Sequence, residues 1–480
     1  MNKELLLEKF KQVIKTKYFL SGAPDSINIE ASSILKNMML ILKNGFTHEP
    51  QQIELVDFIK QRIDYLNQRL SKFLNLILHN KKFQDLESKI RGLYYLITNV
   101  EHSNLLKIKV LNVSNEDIYK DLKLPDVELT RLFQLIYSYG LDTTGGEPMS
   151  LIVYDYYTAT ADSVKKLVTI CAAAHAPLVT GVSPFLFNFS ELTSINQARC
   201  DLTKILSSRT NFTALKRNSE SRYLCLVLPP ILGRAPYSKE YNPAPMLEFY
   251  NESFDSSNVD TMLWINPAFT VAVKVATSHV LYGWAASVLG IESGGSVDNL
   301  PVPFEVKNRT LTPVSPAQAQ FTDRREKDLS SLGFIVLCHY KGTSSCVFYS
   351  MQTAHVPEVY LDDDATANSR LSSSLPNMLL ASRFIHVMKI MLRNKIGSFQ
   401  TKEGIEIHLQ KWLSKYILLN DLAPHSVKAE LPLRGAKVTV VDVPGEPGAY
   451  NIVAQFVPHA HFSDAQVSIN LVCRLDKEIK

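Results

Sequence analysis

Hydrophobic residues near the start of the chain recur every three or four positions. Between residues 56 and 78 they form one stripe, while charged residues such as Lys60 and Arg62 take the other side. That spacing predicts an amphipathic helix. Its apolar stripe must pack on the rest of this chain or on a partner helix. The stripe consists of Val56, Ile59, Ile63, Leu66, Leu70, Phe73, Leu74 and Leu78.

After residue 91 the pattern changes to alternating or continuously apolar runs, which predict strands. Two helical runs, Val164–Ala174 and the mostly apolar Val271–Leu289 with Trp284, lie among them. Strands that alternate with helices predict mixed α/β layers. The predicted strands are Lys107–Val113, Leu151–Tyr156, Leu178–Val182, Tyr223–Leu228, Phe334–Cys338 and Val347–Ser350.

The C-terminal part has two helical stripes, from Leu380 to Leu392 and from Ile405 to Tyr416, followed by three predicted strands. The last strand alternates between apolar and polar residues, as in a sheet with one buried and one wet face. A turn at Pro444–Gly448 joins the first two strands into a predicted hairpin. The three strands are Ala436–Val443, Tyr450–Val457 and Gln466–Arg474.

Composition describes an ordinary globular chain. Its 480 residues, 46% of them hydrophobic and 20% charged, allow about three domains of roughly 150 residues. The net charge of +4 is too small to indicate a nucleic-acid partner. The longest apolar runs fall short of the ~18 residues of a membrane span, and the N-terminus lacks a secretory signal. Six scattered cysteines without a C-x-x-C pair indicate buried thiols in a reducing compartment, so we expect a cytoplasmic protein.

Two groups of residues are candidates for metal binding. Asp362, Asp363 and Asp364 offer carboxylates, but they lack the glycine and glutamate of an EF-hand, and acids before a helix favour its positive end. His459 and His461 alternate near a predicted strand end without a third ligand. The structural interpretation is favoured for both groups, and we expect no metal and no cofactor.

Candidate catalytic residues are equally sparse. Cys171 and His175 lie one helical turn apart, as in a Cys–His nucleophile pair, but the alanines around them favour tight helix packing. The loop at Gly294-Gly295 lacks the lysine and spacing of a P-loop. No G-x-S-x-G or H-E-x-x-H motif occurs either. We therefore predict that the chain is not an enzyme and does not drive motion by hydrolysing a nucleotide.

A series of short motifs, each weak alone, occurs in a distinctive order from about Ile77 to the C-terminus. The motifs include Phe83–Glu87, Arg91–Leu93, Ala172–Pro177, Leu228–Tyr237, Glu292–Gly295, Asp323–Glu326, Asp362–Asn368, Arg383–His386 and Lys395–Phe399. With these motifs in this order, the chain resembles the large sheath subunit of type VI secretion systems, a family often called TssC or VipB. A tryptophan of the family is here Ile90, and its Pro-Arg pair is here Pro229-Pro230, which indicates a divergent system.

The resemblance implies a structural protein with a contractile tail-sheath-like α+β fold. Its N-terminal helical region would pack with a small subunit (TssB or VipA) through Ile59, Ile63, Leu66 and Leu70. Its C-terminal sheet would be completed by strands of neighbouring protomers, which is β-augmentation. The residues expected at that contact are Val438, Val440, Tyr450, Ile452, Ala454, Val467, Ile469 and Leu471.

Further partners implied by the resemblance are other copies of the chain in a helical lattice, an inner tube of Hcp rings, a baseplate and, in most such systems, the AAA+ unfoldase ClpV. Neither nucleic acid nor direct membrane insertion is expected. The domains would be residues 1–75, a sheath core of residues 76–190 and 375–480, and a middle domain of residues 191–374. Two alternatives stay open: the sheath of a phage-tail-derived injection device, and a cytosolic hydrolase that uses Cys171 and His175.

Overall fold

The computed structural model describes most of the chain after residue 50, and these residues divide into two compact units. The first unit comprises residues up to 75 together with residues 245–250, and the second the remainder. The described residues are 51–480 apart from residues 198, 240–241, 246, 256–257, 308–309, 359, 363–365, 367–368, 371, 394–401, 443–449, 460–468 and 476–480.

The first unit is built on one long helix. Helix α1 spans Gln51–Leu78, and its residues up to Asn75 belong to this unit. The Tyr250 hydroxyl donates a hydrogen bond of 2.6 Å to the Asn75 side-chain oxygen within the unit. The span of α1 confirms the helix that the apolar stripe predicts.

The second unit is organised around a six-stranded sheet in the order β1-β2-β3-β9-β10-β6. The first four strands in that order are parallel, and β10 pairs antiparallel with both β9 and β6. The strands are β1 (Ile152–Thr158), β2 (Leu178–Val182), β3 (Leu224–Leu228), β6 (Ser296–Val297), β9 (Phe334–His339) and β10 (Cys346–Phe348).

Both faces of this sheet are covered, which explains why its central strands are continuously apolar. In β3 the side chains of Leu224 and Leu226 enter one buried cluster, and those of Cys225 and Val227 enter the cluster on the opposite face. The helices that the structure describes in full before residue 394 of this unit are α2 (Lys81–Thr98), α3 (Asn115–Asp121), α4 (Arg131–Phe133, continued by a π-helix at Gln134–Asp142), α5 (Lys165–Ala173), α6 (Leu202–Ser207), α7 (Thr210–Arg217), α8 (Ala268–Tyr282), α9 (Asp323–Ser331) and α10 (Leu375–Arg393).

Helices α2 and α8 approach each other closely. A Cβ atom on Gly92 would overlap the ring of Phe269, so glycine in the Arg91–Leu93 motif serves helix packing. Helix α8 ends at Gly283, whose φ of +77° is the left-handed conformation that glycine favours at helix ends. The predicted helix Val271–Leu289 is therefore wrong at both ends, and Trp284 lies beyond the helix.

One predicted strand is absent. Residues Lys107–Val113 belong to no strand, although their apolar and polar residues alternate. Alternation reports which side chains share a face, whereas a strand also needs backbone partners. Among the described residues, none of 107–113 has a backbone hydrogen bond.

The C-terminal region forms a separate antiparallel sheet in the order β11-β12-β13. The predicted hairpin between the first two strands is confirmed by pairs such as Val440 with Ile452. Its predicted turn lies outside the described residues, as do residues 466–468 of the last predicted strand. The elements are α11 (Lys402–Leu413), a 3₁₀ turn (Ser414–Tyr416), α12 (His425–Glu430), β11 (Leu433–Asp442), β12 (Tyr450–Pro458) and β13 (Ile469–Leu475).

Two small strand pairs complete the second unit: β4 (Ile231–Leu232) with β5 (Trp264–Ile265), and β7 (Phe304–Lys307) with β8 (Thr310–Pro313). Short 3₁₀ turns join several elements. Across the described helices, none combines the length and the hydrophobicity that a bilayer crossing requires.

Candidate functional site

The C-terminal sheet packs one face against α10 and α11. Val438, Val440, Ile452 and Ala454 are each about 1% exposed and lie in one cluster with Phe384 of α10. That these four residues lie on strands paired between protomers stays a prediction. Their side chains fill this chain's own core.

An aromatic cluster holds that core together. The ring of Phe384 stacks on Trp284 at a centroid distance of 4.4 Å and on Phe456 at 5.3 Å. Trp412 and Tyr416 meet Phe384 edge-on at 5.7 and 5.6 Å. These geometries are the favourable ones for aromatic pairs. The sheet is thereby fixed to two helices and to the chain just after α8.

The first half of the outer edge of β11 is closed by this chain's own residues. The side-chain amide of Gln410 donates to the backbone carbonyl of Ala436 at 2.8 Å, and its oxygen accepts from the backbone N–H of Val438 at 3.1 Å. Nearer the start of the strand, the N–H of Leu418 donates to the carbonyl of Leu433 at 2.8 Å. A side chain and a loop thus take the place of a neighbouring strand on this edge.

The opposite edge of the sheet is β13, which pairs with β12 alone among the described strands. Of the remaining predicted contact residues, Tyr450 lies at the start of β12, and Ile469 and Leu471 lie on β13 opposite Phe456 and Ala454. Val467 lies outside the described residues. An edge strand presents a row of unpaired backbone groups, which makes it a template for another strand.

The predicted partner face of α1 is exposed. Ile63, Leu66 and Leu70 are 50%, 42% and 49% exposed, and Phe73 is 57% exposed. The helical position of Ile59 is described, but its side chain is not. Large apolar side chains at helical spacing and exposed in a row are typical of a surface that binds another protein.

A buried ionic cluster joins two of the sequence motifs. The Arg234 guanidinium, 7% exposed, contacts Glu252 through Nη1 at 2.5 Å and Glu87 through Nε at 2.8 Å. Burial opposes the charge, but the hydrogen bonds to Glu252 and Glu87 prevail and raise the pKa of Arg234. A guanidinium that bridges two carboxylates is the arrangement that makes buried charges tolerable.

More residues of the motifs complete the cluster. Arg91 donates to Glu87 at 2.7 Å and to the Tyr237 hydroxyl at 3.3 Å, and His79 contacts Glu252 at 3.2 Å. The backbone N–H of Tyr237 donates to Glu252 at 3.0 Å, while its ring lies 4.5 Å from the Arg234 guanidinium. These residues fix the start of α2 to the loop after β4. Sequence reasoning quoted both motifs but missed this pairing, because the residues lie nearly 150 positions apart.

Cys171 and His175 do not form a nucleophile pair. The His175 Nδ1 atom is 2.8 Å from the Tyr223 hydroxyl, and His175 follows the end of α5 with φ at 50°. Burial raises the pKa of the Cys171 thiol to about 12, so the thiol stays protonated. Burial, followed by the positive charge of Lys389, lowers the pKa of His175 to about 3. A protonated, buried thiol without a base is inert.

Of the candidate metal ligands, His459 lies 3.9 Å from Asp421, next to the Arg434–Asp421 ion pair at 3.0 Å. His461, Asp363 and Asp364 lie outside the described residues. In the described part of the chain, no three His, Cys, Asp or Glu side chains gather in a way that would hold a metal ion.

Comparison with known proteins decides the family. Residues 60–355 match the VipB model, "EvpB/VC_A0108, tail sheath N-terminal domain", and residues 364–475 match VipB_2, "tail sheath gpW/gp25-like domain". The chain is 33% identical over 482 aligned positions to type VI secretion system sheath protein TssC1 of Pseudomonas aeruginosa PAO1, covering 98% of this chain and 94% of the relative. The chain belongs to the VipB family of type VI secretion sheath proteins. It is a structural sheath subunit of a phage-tail-like device.

Two solved structures are similar at lower levels. The helical sheath of the anti-feeding prophage in its contracted state shares 11% identity at a TM-score of 0.33, over 74% of this chain and 76% of that one. A sheath tail protein of Desulfitobacterium hafniense shares 9% identity at a TM-score of 0.27, over 66% of this chain and 60% of that one.

Sequence reasoning missed two arrangements, namely Gln410 on the edge of β11 and the ionic cluster around Arg234. A glutamine on a helix carries no pattern that indicates which strand it reaches.

Proposed function

We propose that this chain pairs with a small sheath subunit of the TssB or VipA kind and that the pairs stack into a contractile sheath. The sheath encloses a tube of Hcp rings on a baseplate and propels the tube when it contracts. Membership in the VipB family supports this assembly, and the observation that carries it is the one-sided C-terminal sheet. One edge is closed by Gln410 and Leu418, and the other, β13, is open among the described strands.

The open edge gives the contact between protomers a definite place. A strand from a neighbouring protomer adds to β13, because β11 is covered between Leu433 and Val438 and β12 is paired on both sides. The predicted residues Ile469 and Leu471 lie on the contacting strand itself. The buried face of the sheet contributes indirectly, because it anchors the sheet to α10 and α11 through Val438, Val440, Ile452 and Ala454. In this proposal the sheet is anchored to its own chain on one face and pairs with a neighbouring protomer through β13.

The exposed face of α1 supplies the contact with the small subunit. Ile63, Leu66 and Leu70 present apolar surface that a partner helix can cover. In this proposal the assembled sheath is cytoplasmic and is recycled by a ClpV-type unfoldase. Contraction releases energy stored in the extended lattice, and the chain performs no catalysis. The buried, protonated Cys171 supports that last point.

Co-expression with the small subunit of the same secretion system, followed by negative-stain microscopy, tests the proposal. We expect striated tubes from the wild-type pair and none when the chain ends at Ser468, which removes β13. A chain that ends at Leu475 keeps β13 and serves as the control. Circular dichroism of each variant reports whether the remaining fold is intact.

Two outcomes would count against the proposal. Wild-type tubes that form from this chain alone would favour the sheath of an injection device without a separate small subunit. Normal tubes from the chain that ends at Ser468 would remove β13 from the contact between protomers.

A further inference from the structure

The segment 107–113 is anchored along the free edge of the large sheet without being bonded to it. Leu106 packs on the cluster that also receives Leu151 and Val153, and Val113 packs on the opposite cluster with Ile152 and Tyr154. Leu106 is even-numbered and Val113 is odd-numbered, and they lie on opposite faces of the sheet, as they would in a strand that lies in its plane.

Polar contacts fix the direction of the segment. Lys107 forms an ion pair with Glu147, Lys109 lies 3.6 Å from the same carboxylate, and the Tyr154 hydroxyl donates to Asn115 at 2.5 Å. The early part of the segment therefore lies beside the residues that precede β1, and its end lies beside the middle of β1. The segment runs parallel to β1, in the direction that the neighbouring strands already share.

Neither edge of this arrangement has a backbone partner in the described part of the chain. β1 pairs only with β2, and no backbone hydrogen bond reaches residues 107–113. A directly paired strand would lie about 5 Å away and bond through its backbone. The contacts of the segment are instead made by the side chains of Lys107, Lys109 and Val113, while residues 107–112 stay exposed. Val110 is 64% and Leu111 58% exposed.

We infer that a β-strand from the small sheath subunit inserts between β1 and residues 107–113 and pairs with both. The inserted strand would satisfy two rows of backbone groups at once and extend the six-stranded sheet. This inference rests on the proposed function, because it takes its second chain from there. It assigns that subunit a binding site on the large sheet, separate from the exposed face of α1 and from β13.

Charge indicates the chemistry of the inserted strand. Two lysine ammonium groups, those of Lys107 and Lys109, share the single carboxylate of Glu147 on one face. An incoming strand with an acidic residue on that face balances the remaining positive charge. The open C-terminal edge strand of a second copy of this chain, β13, would instead bring Arg474, which like-charge repulsion disfavours.

Hydrogen exchange of the full-length chain, alone and in complex with the small subunit, tests the inference. In the complex we expect alternate amides of residues 107–113, together with amides of β1, to exchange about tenfold or more slowly. Unchanged exchange in a complex that forms tubes would overturn the inference and leave the proposed function standing. Failure of the wild-type chains to form a complex would instead overturn the proposed function.

Protection in the chain alone would also overturn the inference. Protection that is independent of concentration would assign the place to this chain's own residues 1–50, and protection that rises with concentration would assign it to a second copy.

A proline scan separates backbone pairing from folding. The variants Val110→Pro and Leu111→Pro each remove one N–H that makes no hydrogen bond within the described chain, so the thermal midpoint of the chain alone should not change. In a strand paired on one side, alternate amides face the partner, so one of the two variants should weaken the complex at least about tenfold. The control Val110→Thr keeps both the N–H and the β-branched shape. Full-strength binding by both proline variants would contradict the inference.

Discussion

The side-chain oxygen of Gln410 accepts a hydrogen bond from the backbone N–H of Val438 at 3.1 Å, so a residue of α11 closes the edge of β11. Unprotected edge strands pair with other chains, and proteins cover them with helices or loops. Gln410 and Leu418 thus cover the first half of the outer edge of β11 from within the chain. The same helix supports the sheet from below through Leu409 and Leu413.

Replacing Gln410 with methionine should open that edge. The variant leaves the Ala436 carbonyl and the Val438 N–H without partners, which costs about 1–3 kcal/mol where the groups are shielded from water. We expect a lower midpoint in urea unfolding and association that grows with concentration in light scattering. The variant Gln410→Glu keeps an acceptor for the Val438 N–H, so its unfolding midpoint should lie between those of the wild type and Gln410→Met. A Gln410→Met protein that stays monomeric with an unchanged midpoint would show that the edge needs no closure.

Replacing Arg234 with methionine should destabilise the second unit strongly. The variant leaves Glu87 and Glu252 buried without their shared cation, and breaking such a pair costs about 3–5 kcal/mol. Arg434→Met is the matched control, because its ion pair with Asp421 is about half exposed and is worth at most about 1 kcal/mol. Denaturant unfolding of both variants measures the difference. Equal losses would mean that the Arg234 cluster contributes no more than a surface ion pair.

Stability should fall as the pH drops below about 6.5. Burial lowers the pKa of His175 to about 3 and that of His386 to about 4, so both stay neutral in the folded chain. The unfolded chain takes up protons at these residues from about pH 6.5 downward, which removes about 1.4 kcal/mol per pH unit for each histidine. The contribution of the two neutral histidines to the free energy of unfolding is therefore fully present above about pH 6.5 and is lost progressively towards pH 4.

The double variant His175→Asn/His386→Gln should flatten this dependence between pH 7.5 and 5, as measured by urea unfolding. His102→Gln changes an exposed histidine and should leave the slope as it is. An equally steep slope in the double variant would assign the acid sensitivity to other groups.

Replacing Leu66 with aspartate should affect assembly without affecting the fold. The Leu66 side chain is 42% exposed in this chain, so a charge there should change stability by no more than about 0.5 kcal/mol. In a complex it would bury an unpaired carboxylate, and co-purification of the small subunit should be lost. Gln68→Asp places the same charge on an exposed polar position of α1. If Leu66→Asp still binds the small subunit, this face does not contact it.

The sequence by itself determined the elements whose apolar pattern depends only on nearby residues. The stripe of α1, the apolar runs of β2, β3 and β9, and the hairpin of β11 and β12 were all predicted, since periodicity directly reports burial of a face. The ordered motifs also indicated the family that comparison then showed.

Only the tertiary structure decided which distant groups meet. Glu87 and Arg234 form one cluster across 147 positions, Gln410 reaches β11 rather than solvent, and residues 107–113 alternate like a strand yet lack a backbone partner. Local pattern fixes which side chains share a face, but hydrogen bonding depends on what the rest of the fold brings alongside. The buried Val438 and Ile452 show the same limit of sequence patterns. An alternating strand can bury its apolar face either in the core of its own chain or against a partner.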